Sequence, residues 1–239
     1  MLSVQGVANY HINRAKIAKI YNFAVIMVNV LYIHGMGGGA DSRIPSILSE
    51  KLTRYGVRVV VRTYDFDPEI AHEQIESWLE ELQPKLVVGE SLGSLHALRV
   101  KGVPLVFVSP ALNAPPYLTL LGWLTFIPGV TRLYQRIYRP RPGDRQPMKF
   151  VYPVLKKYAQ HRKEAMKCES PVFAFFGTRD HYRRTGIVSV RTWKKHFGDT
   201  YSMYNGTHFM EDRYVRKMLV KKILDLLNIN KQNKRVTKK

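Results

Sequence analysis

The sequence has very little cysteine and lacks any long uninterrupted apolar run. Its 239 residues include one cysteine, Cys168, so an internal disulfide framework is excluded. Because such a chain suits a reducing compartment, we expect a cytoplasmic location. The apolar stretch at residues 24–28 is too short for a signal-peptide core or a membrane span. With 45% hydrophobic residues, the chain can bury a sizeable core, and its length fits one large domain.

Acidic residues are also scarce. The chain has 18 Asp and Glu against 38 Lys and Arg, a net charge of +20, and no acid precedes Asp41. Such a balance can indicate an acidic partner, either nucleic acid or an anionic membrane, or simply a solvated basic surface. No zinc-finger, RNP-type or basic-zipper pattern accompanies the charge, so we expect no specific nucleic-acid module. We expect weak contact with anionic surfaces, because many cations lie at residues 132–163 and 231–239.

The first convincing strand, "VNVLYIHG", directly follows Met27. We therefore expect residues 1–26 to be an N-terminal extension, either disordered or a start-site artefact. A basic amphipathic targeting segment is the alternative for this stretch. Residues 27–229 form the predicted domain, and residues 230–239 form a basic tail.

From Met27 onward, short apolar runs alternate with helical patterns. The runs predict strands at residues 28–33, 57–64, 85–90, 103–110, 171–178 and 200–204. Between them lie helical patterns, one of which begins at Asp67-Pro68, a good N-cap followed by a good first helical residue. This order predicts an α/β fold, with a mostly parallel sheet of about six strands and helices on both faces. Such sheets bind ligands at the carboxyl ends of their strands.

Residues 111–170 interrupt the alternation. They open with the uncharged stretch "PPYLTLLGWLTFIPGV" and continue with the basic, aromatic stretch "RLYQRIYRPRPGDRQPMKF". A structureless loop of this length is unusual, so we interpret the segment as a helical cap inserted into the main domain. Its prolines and glycines cut the apolar part too short for a membrane span.

Ser91 lies in the pattern Gly89-Glu90-Ser91-Leu92-Gly93, between an apolar strand and a helical pattern. An abrupt strand-to-helix turn strains the backbone at the serine and leaves room only for small residues two positions away. It also exposes the hydroxyl at the positive end of the helix. By itself the pattern is a weak signal, since an ordinary serine in a glycine-rich turn would look the same.

A serine nucleophile needs a base, and in this motif's usual chain order an acid precedes that base. His208, in "NGTHF" after the sixth strand, is the leading candidate among eight histidines, and His181 is its rival. Asp180, in "FFGTRD" after the fifth strand, is the best acid; its ordinary interpretation is a turn or helix-cap aspartate. We expect His34 and His96 to be structural.

An oxyanion hole would need two backbone amides. One is the amide of Leu92, which follows the serine, and the other should come from the loop "HGMGGG", with Met36 favoured over Gly37. The three glycines also fit a flexible turn. A phosphate-binding loop is disfavoured, because no Gly-Lys-Ser/Thr follows and the pattern G-x-G-x-x-G is not matched.

The motifs "YIHGMGGG", "GESLGS", "FFGTRD" and "NGTHF", in this order, resemble the four landmarks of the α/β-hydrolase family. The resemblance covers about residues 27–228 and is closest to compact, esterase-like members. It implies that Ser91 attacks an acyl group, His208 is base and then acid, and Asp180 orients the imidazole. The amides of Met36 and Leu92 would hold the oxyanion.

The resemblance implies no cofactor and no metal. The expected substrate is a small molecule carrying a carboxylic ester or a thioester. A peptidase or a lipase with the same three residues is an alternative. A second alternative is a catalytically inactive member of the fold, which binds acidic partners through residues 132–163.

Overall fold

Six parallel strands form one sheet in the computed structural model, which describes residues 27–139 and 142–229. The strands are β1 Val28–Ile33, β2 Val57–Val61, β3 Leu86–Glu90, β4 Leu105–Val108, β5 Val172–Gly177 and β6 Tyr201–Tyr204. Their order across the sheet is β2-β1-β3-β4-β5-β6. The predicted fold class is thereby confirmed. The predicted N-terminal extension and basic tail lie outside the described residues.

Helices occupy the segments between the strands and the segment after β6. They are α1 Arg43–Leu52, α2 Pro68–Leu82, α3 Ser94–Ala97, α4 Ala114–Leu124, α5 Val130–Ile137, α6 Tyr152–Leu155, α7 Lys157–Ala165, α8 Val190–Phe197, α9 Asp212–Tyr214 and α10 Val220–Leu226. A π-helical turn, Val215–Leu219, joins α9 to α10, so the chain is wound more widely there than in a regular α-helix. None of the helices in the described ranges is long and apolar enough to cross a membrane.

Alternate strand residues bury against two different layers. On one face, Ile33 and Phe107 contact the layer that contains α2, α3, α8 and the segment between β4 and β5. On the other face, Tyr32 and Val106 pack with α1 and α10. Burial on both faces explains why the strands are continuously apolar in sequence.

Two strands end two or more residues earlier than their apolar runs predict. β2 stops at Val61, and the chain then turns so that the Tyr64 hydroxyl donates to the His34 carbonyl oxygen at 2.5 Å. β4 stops at Val108 because Ser109 has a φ of 47°, which no strand residue adopts. Long-range bonds and backbone geometry, rather than apolar content, set these ends.

Residues 111–170, the predicted cap, contain α4 to α7, and we keep the word cap only as the name of this segment. Helix α4 packs on α6 and α7, and α7 in turn packs on α2 and α3 of the main layer. The buried ring of Tyr158, in α7, anchors the segment, because its hydroxyl donates to the Phe66 carbonyl oxygen at 2.8 Å. The segment is thus built onto the sheet's helical layer.

Four histidines form a cluster between the sheet and the cap, which we call the histidine cluster: His34, His72, His96 and His161. The ring centroids of His96 and His161 lie 4.5 Å apart, and neither nitrogen of His96 has a hydrogen-bond partner among the described residues. Arg99 bonds His161 Nδ1 at 2.9 Å. Burial lowers the pKa of His34 to about 4. Burial, followed by the charge of Arg99, lowers the pKa of His161 to about 3.

We expect the stability of the fold to decrease below neutral pH because of this cluster. The folded chain keeps His34 and His161 neutral, whereas the unfolded chain protonates them below about pH 6.5. Their contribution is therefore complete above pH 6.5 and falls by about 1.4 kcal/mol per histidine and per pH unit from there toward pH 4. Urea denaturation between pH 7.5 and 4.5 measures it. The variant His161→Gln should show a shallower slope, and an unchanged slope would contradict this origin.

Asp67 is the N-cap residue of α2, as predicted, and it also joins this helix to α7 of the inserted segment. Its Oδ1 accepts from the Glu69 amide at 3.0 Å, and its Oδ2 accepts from Lys157 Nζ at 2.7 Å. We expect Asp67→Ala to lower the free energy of unfolding by about 1–2 kcal/mol, measured by urea denaturation at pH 7. Asp67→Asn is the matched control, because an amide oxygen can also accept the N-cap hydrogen bond. Equal losses in both variants would exclude the N-cap hydrogen bond to the Glu69 amide as the cause.

Candidate active site

Ser91 lies at the carboxyl end of β3, where the chain turns abruptly into a 3-10 turn, Ser91–Gly93, and then into α3. Its φ is 50°, a left-handed conformation that is strained for a residue with a side chain. A Cβ at Gly93 would lie 2.2 Å from the His34 carbonyl oxygen, and one at Gly89 would lie 2.8 Å from the Ala97 Cβ. The two glycines therefore let the turn pack against the helix and against β1.

His208 reaches Ser91 from the loop that follows β6. Its Nε2 lies 2.9 Å from Ser91 Oγ, and its side chain is almost fully buried. Arg43, in α1, holds this loop by donating to the Met210 carbonyl oxygen at 2.7 Å and by pairing with Asp212. Arg43 is a positioning residue that the sequence pattern did not indicate, because it lies far from His208 along the chain.

Asp180 completes the chain of hydrogen bonds from the end of β5. Its Oδ2 lies 2.8 Å from His208 Nδ1, while its Oδ1 accepts from the Tyr182 amide at 2.8 Å. The Oδ1 contact is the turn or helix-cap bond that the ordinary interpretation of Asp180 predicts, and the Oδ2 contact joins Asp180 to His208. Because a carboxylate only accepts, Nδ1 carries the proton and Nε2 is free to accept from the serine hydroxyl.

The rival histidine, His181, lies next to this arrangement but outside it. Its ring centroid is 6.2 Å from that of His208, and its side chain is exposed and contacts the Tyr182 ring at a tilt of 40°. His34 and His96, which the sequence indicated as structural, belong to the buried histidine cluster. Cys168 is half-buried and lies elsewhere, and burial raises the pKa of its thiol, so it lacks the properties of a reactive nucleophile.

The glycine loop after β1 packs directly against Ser91. A Cβ at Gly35 would lie 3.0 Å from the Ser91 Cβ. The Gly37 amide, the alternative oxyanion donor, already donates to Gln146 Oε1 at 3.1 Å. Met36 therefore stays the favoured donor of this loop, beside Leu92.

Gln146 lies in the chain between α5 and α6 and is buried beside the site. Besides accepting from Gly37, it donates through Nε2 to the Tyr64 carbonyl oxygen at 3.2 Å. One side chain from the cap thus fixes the shape of the glycine loop. The sequence offered no signal for it, because a lone glutamine in a basic stretch resembles a surface residue.

Glu90 lies directly before Ser91 and forms a second polar pair under the site. Its Oε2 accepts from the Tyr32 hydroxyl at 2.6 Å. Burial raises the pKa of the Glu90 carboxyl, against the opposing effects of this hydrogen bond and of nearby His208 and Arg43. The side chain of Glu90, at the end of an apolar strand, thus interacts with both Tyr32 and His208.

No group of three or more His, Cys, Asp or Glu side chains in the described part of the chain is arranged to hold a metal ion. The side chains gathered at the strand ends instead form a linear chain of acid, imidazole and hydroxyl. Such a chain can remove a proton from the hydroxyl and return it to a leaving group.

Comparison with known proteins adds structural relatives but no sequence relatives, since no protein-family model and no curated protein matches the chain. A monoacylglycerol lipase from Paleococcus ferrophilus is 20% identical over 84% of this chain and 94% of its own, with a TM-score of 0.57. The thioesterase domain from the curacin biosynthetic pathway is 19% identical, over 84% and 92%, with a TM-score of 0.56.

Mouse alpha/beta hydrolase domain-containing protein 10 is 17% identical, over 84% of this chain and 89% of its own, with a TM-score of 0.57. At such low identities these similarities concern the fold of the backbone and not the reaction. Together with the single sheet of six parallel strands between two helical layers, they show that this chain has the α/β-hydrolase fold.

Proposed function

We propose that the protein is a serine hydrolase that cleaves carboxylic esters or thioesters through an acyl-enzyme intermediate. The observation that carries this proposal is the continuous hydrogen-bonded chain from Asp180 through His208 to Ser91, with links of 2.8 and 2.9 Å. A serine hydroxyl is a poor nucleophile without a base, and here an imidazole of fixed tautomer lies within hydrogen-bond reach. A serine in an ordinary glycine-rich turn needs neither partner.

In the first half of the proposed reaction, His208 Nε2 takes the proton of Ser91 as Oγ attacks the acyl carbon. The carbonyl oxygen becomes an oxyanion, which the amides of Leu92 and Met36 would stabilise. The intermediate collapses when the bond from the acyl carbon to the leaving oxygen or sulfur breaks. His208 returns the proton to that leaving group, and the acyl group stays on Ser91 as an ester.

In the second half, water takes the place of the leaving group. His208 Nε2 removes a proton from the water while its oxygen attacks the acyl-serine carbon. Collapse of this second intermediate breaks the bond to Oγ, and His208 returns the proton to Ser91. The products are a carboxylic acid and the alcohol or thiol released in the first half, so atoms and charges balance.

Asp180 acts on this cycle without exchanging a proton. Its Oδ2 holds Nδ1–H, which keeps the imidazole in the tautomer that can accept from Ser91 and stabilises the imidazolium between the two proton transfers. Its Oδ1 is held by the Tyr182 amide, so the carboxylate cannot rotate without losing that bond.

The substrate class rests on the names of the structural neighbours. A monoacylglycerol lipase and a thioesterase domain share this backbone, and both names describe cleavage of an acyl carbon from oxygen or sulfur. A lipase or a peptidase using the same three side chains would share every step above and would differ in the group that the cap admits.

We expect Ser91→Ala to abolish hydrolysis of short p-nitrophenyl esters while leaving the thermal unfolding transition in place. Ser94→Ala is a matched control from the same stretch, because Ser94 is buried and its hydroxyl has no partner. Removing an unpaired hydroxyl should cost little stability and no activity. A fluorophosphonate probe should label the wild-type chain and Ser94→Ala but not Ser91→Ala. Unlabelled wild-type protein would instead identify a catalytically inactive member of the fold.

We expect Asp180→Asn to lower kcat by about a thousandfold or more, since an amide favours the wrong imidazole tautomer. The asparagine oxygen can still accept from the Tyr182 amide, so the unfolding temperature should change little. Steady-state kinetics with a p-nitrophenyl ester and a thermal scan separate the two effects. A variant that keeps wild-type kcat would remove Asp180 from the mechanism.

A further inference from the structure

The outer face of the cap carries an unusual density of exposed apolar side chains. Trp123 is 56% exposed, Ile127 is 53% exposed, and Phe126, at 64%, is the most exposed large apolar residue in the described part of the chain. We call this surface the apolar tip; it consists of Leu120, Trp123, Leu124, Phe126, Ile127, Leu133 and Ile137. Scattered apolar side chains are normal on a surface, but a patch on two consecutive helices and their connection indicates an interaction site.

The aromatic part of the apolar tip is held in place by ring packing. The ring centroid of Trp123 lies 5.6 Å from that of Phe126 and 4.9 Å from that of Tyr152, and Lys156 Nζ lies 5.3 Å above the Tyr152 ring. These side chains form one platform with a cation at its edge. The rings of the platform pack against one another, but no other part of the described chain covers their outer side.

Helix α5 presents apolar and basic residues side by side. Tyr134 faces inward, while Leu133 and Ile137, four residues apart, are exposed. Arg132 and Arg136 repeat the same spacing one position earlier, so a basic row runs along the apolar row. Both arginines are exposed, and neither makes an ion pair within the described ranges.

The charges of the cap are distributed unevenly between its two sides. Residues 111–170 include eleven Lys and Arg and three acids, Asp144, Glu164 and Glu169. Arg145, Lys149 and Lys157 pair with acids of the main layer, which neutralises the side of the cap that faces the sheet. Arg132 and Arg136 lie beside the exposed Leu133 and Ile137, and residues 114–143 contain no acid to balance them.

We propose that the apolar tip docks on an anionic lipid bilayer and lies in its interface. Trp and Phe side chains suit the boundary between headgroups and acyl chains, and Leu and Ile can insert into the acyl region. Arg132 and Arg136 can lay their stems along this boundary and place their guanidinium groups among anionic headgroups. The net charge of +20 adds long-range attraction to such a surface.

A bilayer accounts for the pattern better than a nucleic acid does. Binding to a nucleic acid would use the arginines but would leave seven exposed apolar side chains without a role. The docking surface does not depend on the proposed hydrolase activity, because vesicle binding is measured without any substrate. The two proposals can therefore fail separately.

The test is flotation of the full chain with phosphatidylcholine vesicles and with vesicles of equal parts phosphatidylcholine and phosphatidylserine. We expect binding to the mixed vesicles that weakens as salt is raised, and much weaker binding to phosphatidylcholine alone. The double variant Arg132→Gln with Arg136→Gln should weaken binding to the mixed vesicles by about thirtyfold. Phe126→Ser with Ile127→Ser should weaken it at least tenfold.

The matched control is Lys85→Gln with Lys101→Gln, which removes the same charge from two exposed residues. They lie at the amino ends of β3 and β4, opposite the strand ends that carry Ser91 and the start of the cap. It should keep mixed-vesicle binding within about twofold of the wild-type chain. Circular dichroism checks that each variant folds. Equal losses in the arginine variant and the lysine control would reduce the effect to net charge and overturn the proposal.

Two other outcomes would also overturn it. The wild-type chain could fail to float with either vesicle while sedimenting as a dimer that Phe126→Ser with Ile127→Ser dissociates; the apolar tip would then be covered by a second copy. It could also fail to float but bind a single-stranded RNA through Arg132 and Arg136, in which case the face would be a polyanion site.

Discussion

The left-handed backbone at Ser91 is the constraint on which the candidate site depends. A φ of 50° at a residue with a side chain costs about 1–3 kcal/mol, and it persists only where the surroundings fix it. Here they do so from three sides. Gly93 lies against the His34 carbonyl group, Gly89 lies against α3, and the Ala111 amide donates to the Ser91 carbonyl oxygen at 3.0 Å. Contacts from the end of β1, from β3 and from the start of the cap thus fix the orientation of Ser91.

The parallel sheet brings the residues of the candidate site together from several loops. Parallel strands deliver their carboxyl ends to one edge, so the loops after β1, β3, β5 and β6 meet there although they are far apart in sequence. Gly177, at the end of β5, lets the last two of these loops touch, because a Cβ there would lie 2.4 Å from the Thr207 carbonyl oxygen. Asp180 and His208 come within hydrogen-bond distance through this contact.

Local sequence could predict which side chains meet at the strand ends. Ser91, Asp180 and His208 were found this way, and the same reasoning favoured His208 over His181, which the structure leaves outside the hydrogen-bonded chain. Local sequence could not predict Arg43 or Gln146. Each acts through a bond to a residue more than a hundred positions away, and neither lies in a pattern of its own. The φ of Ser109 and the π-helical turn likewise depend on packing that only the folded chain supplies.

The position of β6 in the sheet has a consequence for how the site can be lost. Among the described strands β6 pairs with β5 alone and forms one edge of the sheet, and the loop after it carries His208. Edge strands open more readily than central ones, because fewer bonds and contacts must break. A transient release of this edge would detach the imidazole while β1 to β4 stayed assembled and Ser91 kept its turn. Release of β6 alone, the edge strand of the described sheet, would therefore break the hydrogen-bonded chain of the proposed active site without unfolding the central strands.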